Sequence, residues 1–353
     1  MPVTTEPHTL EAYDRSSSSG RWGPRRAVVM FAALTAGIVM FVAITWPQAL
    51  GVHRVFGVAQ LIAFRPALVV GLFVIALIIG GIALVMKRRT RRVVTLVVAG
   101  SFLVAALAQA AVLGARGWGS SSARTANVST LAQDGLTVLS WNAQGGATSA
   151  QDIAALALTV RPDVIALPET DAVAADEVRA ILAEHGLTMS SSTVGDRIPT
   201  SVLISTMLGS YRLDASRGST PGLPSGVWLP DDETSPPIVV AHPMPPLPGS
   251  MSEWRQGLDW MMEQCQSLGE SVVVAGDLNA TVDHLGDVPG CSDAAAASSQ
   301  AASGTWPSTA PQALASPIDH VLLGVKWRVL DVKIVDTPGS GSDHRPIVAV
   351  LGS

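Results

Sequence analysis

Charged side chains are missing from three long stretches near the N-terminus. These stretches are Ala27 to Gly51, Pro66 to Met86 and Val93 to Ala115. Each is long enough to cross a bilayer, for which about 20 apolar residues are needed. A cleaved signal peptide would need only one such stretch. Because ionisable residues inside membrane spans usually mark a transport pathway, their absence favours an anchor over a transporter or channel. The sequence therefore predicts three transmembrane helices.

Basic residues are scarce in the rest of the chain. The first 117 residues carry 12 Lys and Arg against 3 Asp and Glu, a charge of +9, whereas the other 236 carry 11 against 25, a charge of −14. Proteins that grip a nucleic-acid backbone usually present basic residues, because phosphate neutralisation supplies most of the affinity. The charge of this part therefore does not favour DNA as a partner.

Cysteine is scarce as well, since Cys265 and Cys291 are the only two in the chain. Both lie beyond the last apolar stretch. If that part of the chain is outside the cell membrane, oxidising conditions there favour a disulfide. The alternative is two unpaired thiols. A bridge would close a loop that contains Asp277 and Asn279.

Positive charges at the ends of the apolar stretches indicate their orientation. Arg21, Arg25 and Arg26 lie just before the first stretch, and "KRRTRR", Lys87 to Arg92, joins the second to the third. Lys and Arg in short loops tend to stay cytoplasmic, so both clusters are predicted to lie inside. We therefore expect a multi-pass cell-membrane protein with a cytoplasmic N-terminus, whose chain is extracytoplasmic from Arg116 onward.

The chain is predicted to have four parts. Residues 1–26 form a cytoplasmic tail, and residues 27–115 form a membrane anchor with spans at about 27–51, 66–86 and 93–115. Residues 116–135 are small and polar without periodicity, which is typical of a linker. Residues 136–353 are enough for one large domain. The short apolar piece "VFGVAQLIAF", which precedes Pro66, is expected to lie at the membrane interface.

Short apolar runs alternate with helical patterns in the C-terminal domain. Helices are predicted at Ala150 to Val160, Asp171 to His185 and Ser252 to Leu268. Eight runs rich in Val, Ile and Leu predict strands; they are "LTVLSW", "DVIAL", "TSVLIST", "PIVVA", "SVVVAG", "IDHVLLG", "WRVLDVKIV" and "PIVAVL". Such a mixture predicts an α/β domain with buried sheets.

Polar residues recur at the ends of these apolar runs. In α/β sheets, the loops beyond the strand ends are where ligands bind. Taken singly, each residue could merely cap a turn or a helix, and His284 and His320 could be no more than satisfied turn or core groups. Nine such residues together favour a site; they are Asn142, Glu169, His242, Asp277, Asn279, Asp319, His320, Asp343 and His344.

Seven segments that carry these residues resemble the ordered motifs of the endonuclease/exonuclease/phosphatase superfamily. They are "LSWNAQGG", "RPDVIALPET", "VVAHPMPP", "VVVAGDLNAT", "GTWP", "SPIDHVLLG" and "GSDHRPIVAVL". The superfamily includes pancreatic-type deoxyribonucleases, exonuclease III-type repair enzymes, neutral sphingomyelinases and inositol polyphosphate 5-phosphatases. The order and spacing agree over nearly the whole domain, so the chain is identified as a membrane-anchored, bacterial-type member.

The resemblance implies a fold and a metal ion. The fold would be a four-layered α/β sandwich, with two packed mixed β-sheets flanked by helices, preceded here by the three transmembrane helices. The ion would be divalent, Mg²⁺ or Mn²⁺, with Glu169 as its principal ligand and Asn142 and Asp343 nearby. A hard ion of this kind prefers oxygen ligands, so no Cys/His cluster is needed.

The resemblance also implies the catalytic roles. Asp277 would orient or deprotonate the attacking water, and Asn279 would hold the phosphate and the aspartate. His344 would bind the phosphoryl oxygen or act as acid and base, oriented by Asp319, with His242 as the second histidine of the site. Arg345, next to His344, is expected to be a structural ion-pair partner, because an arginine beside a proline can brace the turn.

The expected function is hydrolysis of a phosphoester at the outer face of the membrane. A lipid head group or a small phosphoester is favoured as substrate, on charge and on the membrane tether, and no protein partner is inferred. An extracellular nuclease of the same fold is the first alternative. The second is a non-catalytic binding module, which would be expected to lose metal-binding or water-activating residues, whereas the main ones are present.

Overall fold

A computed structural model describes residues 24–118 and 135–353. The predicted cytoplasmic tail, apart from its last three residues, and most of the predicted linker lie outside the described residues. The chain separates into two compact units, residues 1–41 and 42–353. In the first unit, the described residues belong to helix α1, Pro24–Thr45, whose last four residues fall in the second unit.

Three further helices follow before the C-terminal domain. They are the short α2, Val58–Ala63, and the long α3, Arg65–Val85, and α4, Arg89–Arg116. Among the described residues, α3 and α4 are the two helices that are long and apolar enough to cross a membrane, whereas α1 contributes a shorter apolar stretch, Phe31–Thr45. The spans predicted at 66–86 and 93–115 are therefore found as candidate spans, and the span predicted at 27–51 stays a prediction.

Twelve strands and five helices are described in the C-terminal domain. The helices are α5 Ala150–Val160, α6 Ala172–Glu184, α7 Met251–Ser267, α8 Val282–Leu285 and α9 Ala294–Ala297. The strands are β1 Gly135–Ser140, β2 Val164–Pro168, β3 Met189–Val194, β4 Thr200–Ser205, β5 Tyr211–Leu213, β6 Gly226–Pro230, β7 Ile238–Val240, β8 Val273–Asp277, β9 Cys291–Asp293, β10 Asp319–Gly324, β11 Arg328–Ile334 and β12 Ile347–Gly352. All eight strands and all three helices predicted for this domain are present.

The strands form two mixed six-stranded sheets. The first has the order β11-β12-β1-β2-β4-β3 and the second β5-β6-β7-β8-β10-β9. The pairs β1/β2 and β7/β8 are parallel, and the other neighbours are antiparallel. The predicted α/β architecture of two mixed sheets flanked by helices is confirmed.

Side chains of alternate residues fill the space on the two sides of each sheet. In β1, Leu136 and Val138 pack between the sheets, against residues such as Val240 and Val273. Leu139 points the other way, into a cluster with residues of α5 and α6. The outer face of the second sheet packs against α7 and also against Ala59 of α2. Because successive strand residues face opposite sides, apolar runs buried on both faces produce these stacked layers.

Cys265 and Cys291 form the predicted disulfide, with their Cα atoms 5.6 Å apart. The bridge ties the end of α7 to β9 and encloses the residues from α7 through β8 and α8. A loop of this length restricts the unfolded chain, which stabilises the folded state by about 3 to 4 kcal/mol.

The double variant Cys265→Ser, Cys291→Ser is therefore expected to lower the free energy of unfolding by about 3 to 4 kcal/mol. Denaturant unfolding of the purified full chain, followed by tryptophan fluorescence, measures this difference. Peptide mapping of the wild type without reductant is the control, because it shows that the bridge is formed. A loss below about 1 kcal/mol in the presence of a mapped bridge would contradict this contribution.

Candidate active site

Strand ends from both sheets bring the predicted site residues to one end of the sandwich. Asn142 follows β1, Glu169 follows β2 directly, and His242 follows β7. Asp277 is the last residue of β8 and lies opposite Asp319, the first residue of the antiparallel β10. The pairing of Ser140 with Ile347 likewise brings the start of β12, and with it His344, to the end of β1. The predicted residues meet because β10 and β12 are antiparallel to their neighbours β8 and β1, so they begin at the edge where those strands end.

Asn142 joins two carboxylates in the centre of the site. Its amide Nδ2 donates to Oε1 of Glu169 at 2.9 Å and to Oδ2 of Asp277 at 3.1 Å. The other oxygen of Asp277 accepts the backbone N–H of Asn279 at 2.8 Å. The side-chain amide of Asn279 donates to the carbonyl oxygen of Pro243, so the loop after β7 is tied to the loop after β8. Both oxygens of Asp277 are thus fixed in direction.

His344 and Asp319 form a buried pair beside this centre. Nδ1 of His344 lies 2.9 Å from Oδ2 of Asp319, and Nε2 lies 3.7 Å from Oδ2 of Asp277. The backbone of His344 is also held. Its carbonyl accepts the indole N–H of Trp141, and its N–H donates to the hydroxyl of Ser342. Asp319 therefore lies within hydrogen-bond distance of the ring that it is predicted to orient.

His242 lies at the same centre. Its Nε2 is 3.8 Å from both Oε1 of Glu169 and Oδ2 of Asp277. Among the described residues, its buried Nδ1 has no hydrogen-bond partner, and the same is true of Oδ1 of Asp319. The ring is held through its backbone instead, since the N–H of His242 donates to Oγ of Ser225.

Asp343 lies near the same ring nitrogen of His344 that faces Asp277. Its Oδ1 is 3.8 Å from Nε2 of His344, and its Oδ2 accepts the indole N–H of Trp306 at 2.8 Å. The side chain is 37% exposed, so a ligand can reach it. No role was predicted for Trp306. The signal that could have identified it is its position in the motif "GTWP", which places an indole N–H donor among the motifs that carry the site.

Arg345 is structural, as predicted. Its Nε donates to Oδ1 of Asp336, and its terminal nitrogens donate to the backbone carbonyls of Pro307, Ser308 and Ala310. It braces the segment that follows Trp306 against the loop that carries His344. His320 is also structural, because its ring bonds Asp293 and the carbonyl of Ala280.

Three backbone features hold the centre in an unusual shape. Glu169 and Asn279 have φ angles of 56° and 47°, in the left-handed region that side-chain-bearing residues rarely adopt. At Gly276, a Cβ would collide with the carbonyl oxygen of Ala241, so only glycine lets β7 approach β8 this closely. Strain of this kind is found at functional sites, where the surrounding structure maintains it.

Burial and nearby charge separate the pKa values of the two histidines. Burial, with the charge of His344, lowers the pKa of His242 to about 3, so this ring is neutral near pH 7. Burial also disfavours the charged form of His344, but the carboxylates of Asp319 and Asp277 outweigh it and raise its pKa to about 10. Burial raises the pKa of Asp277, and the charge of Asp319 adds to the effect. The site therefore contains one imidazolium and a carboxyl group that readily accepts a proton.

The donor set fits a hard divalent cation. Three carboxyl groups, from Asp277, Asp319 and Asp343, lie within 3.8 Å of the ring of His344, and a fourth, from Glu169, lies 3.8 Å from His242. Oxygen ligands and excess negative charge are what Mg²⁺ or Mn²⁺ requires. Ligand atoms of Asp277, Asp319 and His344 lie within 4.8 Å of one another. Asp319 is already hydrogen-bonded to His344, whereas the side chain of Glu169 is 28% exposed and open to a ligand.

Asn142 presents its amide nitrogen to the carboxylates. Its Oδ1 accepts the backbone N–H of Gln144 at 2.9 Å, which leaves one lone pair of that oxygen for a cation. Its hydrogen bonds to Glu169 and Asp277 join these two carboxylates, a contact that the sequence did not predict.

Several solved structures are similar to this chain. A D. rerio TDP2 complexed with single-strand DNA product is 16% identical, with 62% of this chain and 99% of that chain covered and a TM-score of 0.49. The human nocturnin catalytic domain with bound sulfate is 15% identical, with 62% and 94% covered and a TM-score of 0.46. A mannosyl-6-phosphatase of Bacteroides thetaiotaomicron is 15% identical, with 62% and 100% covered and a TM-score of 0.47. None of these similarities carries a functional conclusion.

The sequence itself identifies the family. No curated protein matches the chain. Residues 139–344, however, match the endonuclease/exonuclease/phosphatase family, and they run from the end of β1 to His344, so they include every predicted site residue. Because this match covers more than half of the chain, the protein belongs to the endonuclease/exonuclease/phosphatase family.

Proposed function

We propose that the protein is a membrane-anchored, extracytoplasmic phosphoesterase that hydrolyses a phosphodiester or phosphomonoester of a lipid or small molecule. The observation that carries this proposal is the buried arrangement of Asp277, His344 and Asp319 next to the partly exposed Glu169. A water-activating carboxylate, an oriented imidazolium and a cation-binding carboxylate are the groups that phosphoester hydrolysis requires.

Asp277 is the proposed base. Asn142 and the backbone N–H of Asn279 each hold one of its oxygens, so the carboxylate keeps a fixed orientation. Its raised pKa favours acceptance of a proton from an attacking water, since a base works best when its pKa lies near the working pH. In the same proposal, Asn279 holds both this carboxylate and the phosphate.

His344 is the proposed electrophilic group. Its Nδ1–H donates to Asp319, so the proton on Nε2 points toward the centre that contains Asp277. The imidazolium can donate this hydrogen bond to a phosphoryl oxygen, or give the proton to the leaving oxygen. His242, which is neutral and within 3.8 Å of Glu169 and Asp277, serves as a second hydrogen-bonding group for the phosphate.

Glu169, Asn142 and Asp343 are the proposed ligands of a divalent cation, Mg²⁺ or Mn²⁺. When bound, such an ion supplies Lewis-acid stabilisation of negative charge on phosphoryl oxygens. Trp306 fixes Asp343 through its indole N–H, and Asn142 fixes Glu169. These hydrogen bonds hold both carboxylates in place before any ligand binds.

The location at the outer membrane face has two supports. The helices α3 and α4 are candidate spans, with the basic segment "KRRTRR" at the turn between them. The disulfide between Cys265 and Cys291 is typical of proteins in an oxidising compartment. The proposed topology has three spans, a cytoplasmic N-terminus and the domain of residues 136–353 outside.

The substrate is proposed to be a lipid head group or a small phosphoester rather than DNA, because residues 118–353 carry a charge of −14. The purified full chain with Mg²⁺ is expected to hydrolyse phospholipid in vesicles or a small chromogenic phosphodiester at least about tenfold faster than it nicks plasmid DNA. Each substrate is assayed at equal phosphoester concentration. Robust DNA cleavage without turnover of lipid or small phosphoesters would make the nuclease alternative the correct one.

A further inference from the structure

The segment directly after Asn279 is held by residues from the membrane helices. This segment, Ala280 to Leu285, includes the short helix α8, and Asp283 and His284 within it are almost fully buried. Asp283 is six residues beyond Asp277 in the chain. Contacts at Asp283 therefore act close to the proposed base.

Two arginines, one from each candidate span, bind the carboxylate of Asp283. Arg65, the first residue of α3, donates from Nε at 2.6 Å and from a terminal nitrogen at 2.8 Å, in a two-point contact. Arg116, the last residue of α4, donates to both oxygens of the same carboxylate. Because α3 and α4 run in opposite directions, the start of one and the end of the other reach the same place.

The arginine at α3 is itself fixed by its surroundings. Arg65 is 1% exposed and also bonds the side chain of Gln109 in α4 and the carbonyl of Ile44 at the end of α1. Gln109 in turn donates to the hydroxyl of Thr45. The residues Arg65, Arg116, Asp283 and Gln109 therefore form one buried polar cluster, which we call the anchor cluster.

A second set of contacts joins the same segment to the region between α1 and α3. The ring of His284 bonds the carbonyl of Ala59 in α2 and accepts the backbone N–H of Thr281. Arg54 donates to the carbonyl of His284, and Gln48 donates to the carbonyl of Asp283. Apart from Thr281, these partners precede the C-terminal domain in the chain.

The start of the segment is hydrogen-bonded to β10, next to the site. Its first residue, Ala280, bonds His320, the neighbour of Asp319 in β10, and Leu278 donates to the carbonyl of Ile318. Only Thr281 and Val282 separate Ala280 from Asp283, so the contacts with the site and those with the membrane helices lie on one short stretch of chain.

The members of the anchor cluster depend on one another, because the positive charges of Arg65 and Arg116 compensate the buried negative charge of Asp283. Although burial opposes ionisation, hydrogen bonds from Arg65 and Arg116 hold the pKa of Asp283 well below its ordinary value. A buried charge that loses its partner is strongly unfavourable, so removal of either side disturbs the whole cluster.

We propose that Arg65 and Arg116 are positioning residues for catalysis, which act through Asp283 on the loop that carries Asp277 and Asn279. In this inference, which rests on the proposed phosphoesterase function, the candidate membrane helices α3 and α4 complete the active site as well as anchoring it. The domain beyond residue 135 would then be poorly active when the helix ends are displaced.

The test uses the full chain in detergent or lipid discs, with the variants Asp283→Asn, Arg116→Gln and their combination. Each single variant is expected to lower kcat about 10- to 100-fold, since a small misplacement of a reacting group has effects of this size, and to change KM by less than about threefold. The double variant should be no worse than the more severe single one, because both remove the same contact. The matched control is Arg91→Gln, at an exposed position near the other end of α4, which should keep the wild-type kcat.

Hydrogen exchange of the segment 278–286 gives a readout that does not depend on activity. Faster exchange there, with the lowered kcat, supports the proposal. Arg116→Lys, which keeps the charge, should restore most of the activity even if Arg116→Gln folds poorly.

If the wild type is active and all variants keep its kcat while only the melting temperature falls, the anchor cluster is merely structural and the inference is wrong. An inactive wild type with normal exchange protection would instead contradict the proposed function.

Discussion

An Asp277→Asn variant is expected to lose about 10²- to 10⁴-fold in kcat for phosphoester hydrolysis while it keeps its fold. Asparagine has the same shape as aspartate but cannot accept a proton from water. The carboxylate is almost fully buried and both of its oxygens are held by hydrogen bonds, so neighbouring carboxylates cannot rotate into its position. Steady-state kinetics at saturating Mg²⁺ measure the loss, and circular dichroism checks the fold.

The matched control for this variant is Asp214→Asn, which changes a carboxylate that caps a turn at the surface. It should keep the wild-type kcat. A folded Asp277→Asn protein with kcat within about threefold of the wild type would show that Asp277 is not the base, since general base catalysis contributes at least about 100-fold.

The variants His344→Gln and Asp319→Asn are each expected to lower kcat by about 10²- to 10³-fold, the usual effect of removing one group that stabilises transition-state charge. His344→Gln removes the imidazolium. Asp319→Asn keeps the ring but removes the carboxylate that, 2.9 Å from Nδ1, orients it and raises its pKa. Because the two residues act as a unit, the double variant should be no slower than His344→Gln alone.

An exposed histidine provides the control for the pair. His185 caps the C-terminus of α6, and its ring bonds only the carbonyl of Ile181 among the described residues, so His185→Gln should leave kcat unchanged. Additive losses in the double variant Asp319→Asn, His344→Gln would show that the two groups act independently. That result would contradict the proposed mechanism.

Sequence patterns predicted most of the sheet framework for a physical reason. Strands β1, β2, β8, β10 and β12 are buried on both faces, so they appear as continuous apolar runs that end in polar residues. Four strands, β3, β5, β6 and β9, were missed because they are short or carry serines, glycine, proline and partly exposed side chains, as in "MSSSTV" and "GVWLP". These strands lack the hydrophobic pattern that identifies the others.

The candidate site was predictable as a set of residues but only partly as a set of contacts. The resemblance identified Asp319 as the partner of His344, and the geometry agrees. Roles that depend on distant parts of the chain were not predictable, such as the indole of Trp306 on Asp343 and the arginines on Asp283. No local pattern indicates that Arg65, at the start of an apolar stretch, meets a carboxylate more than 200 residues later.

The most direct test of the central claim is turnover of a chromogenic phosphodiester by the purified full chain, with and without a metal chelator. The wild type is expected to hydrolyse the substrate with Mg²⁺ or Mn²⁺, to lose the activity with chelator and to regain it when excess metal is added. The Asp277→Asn protein, assayed in parallel, should stay inactive in all three conditions. Equal turnover by the wild type and Asp277→Asn, or wild-type turnover that the chelator does not reduce, would contradict a metal-dependent phosphoesterase at this site.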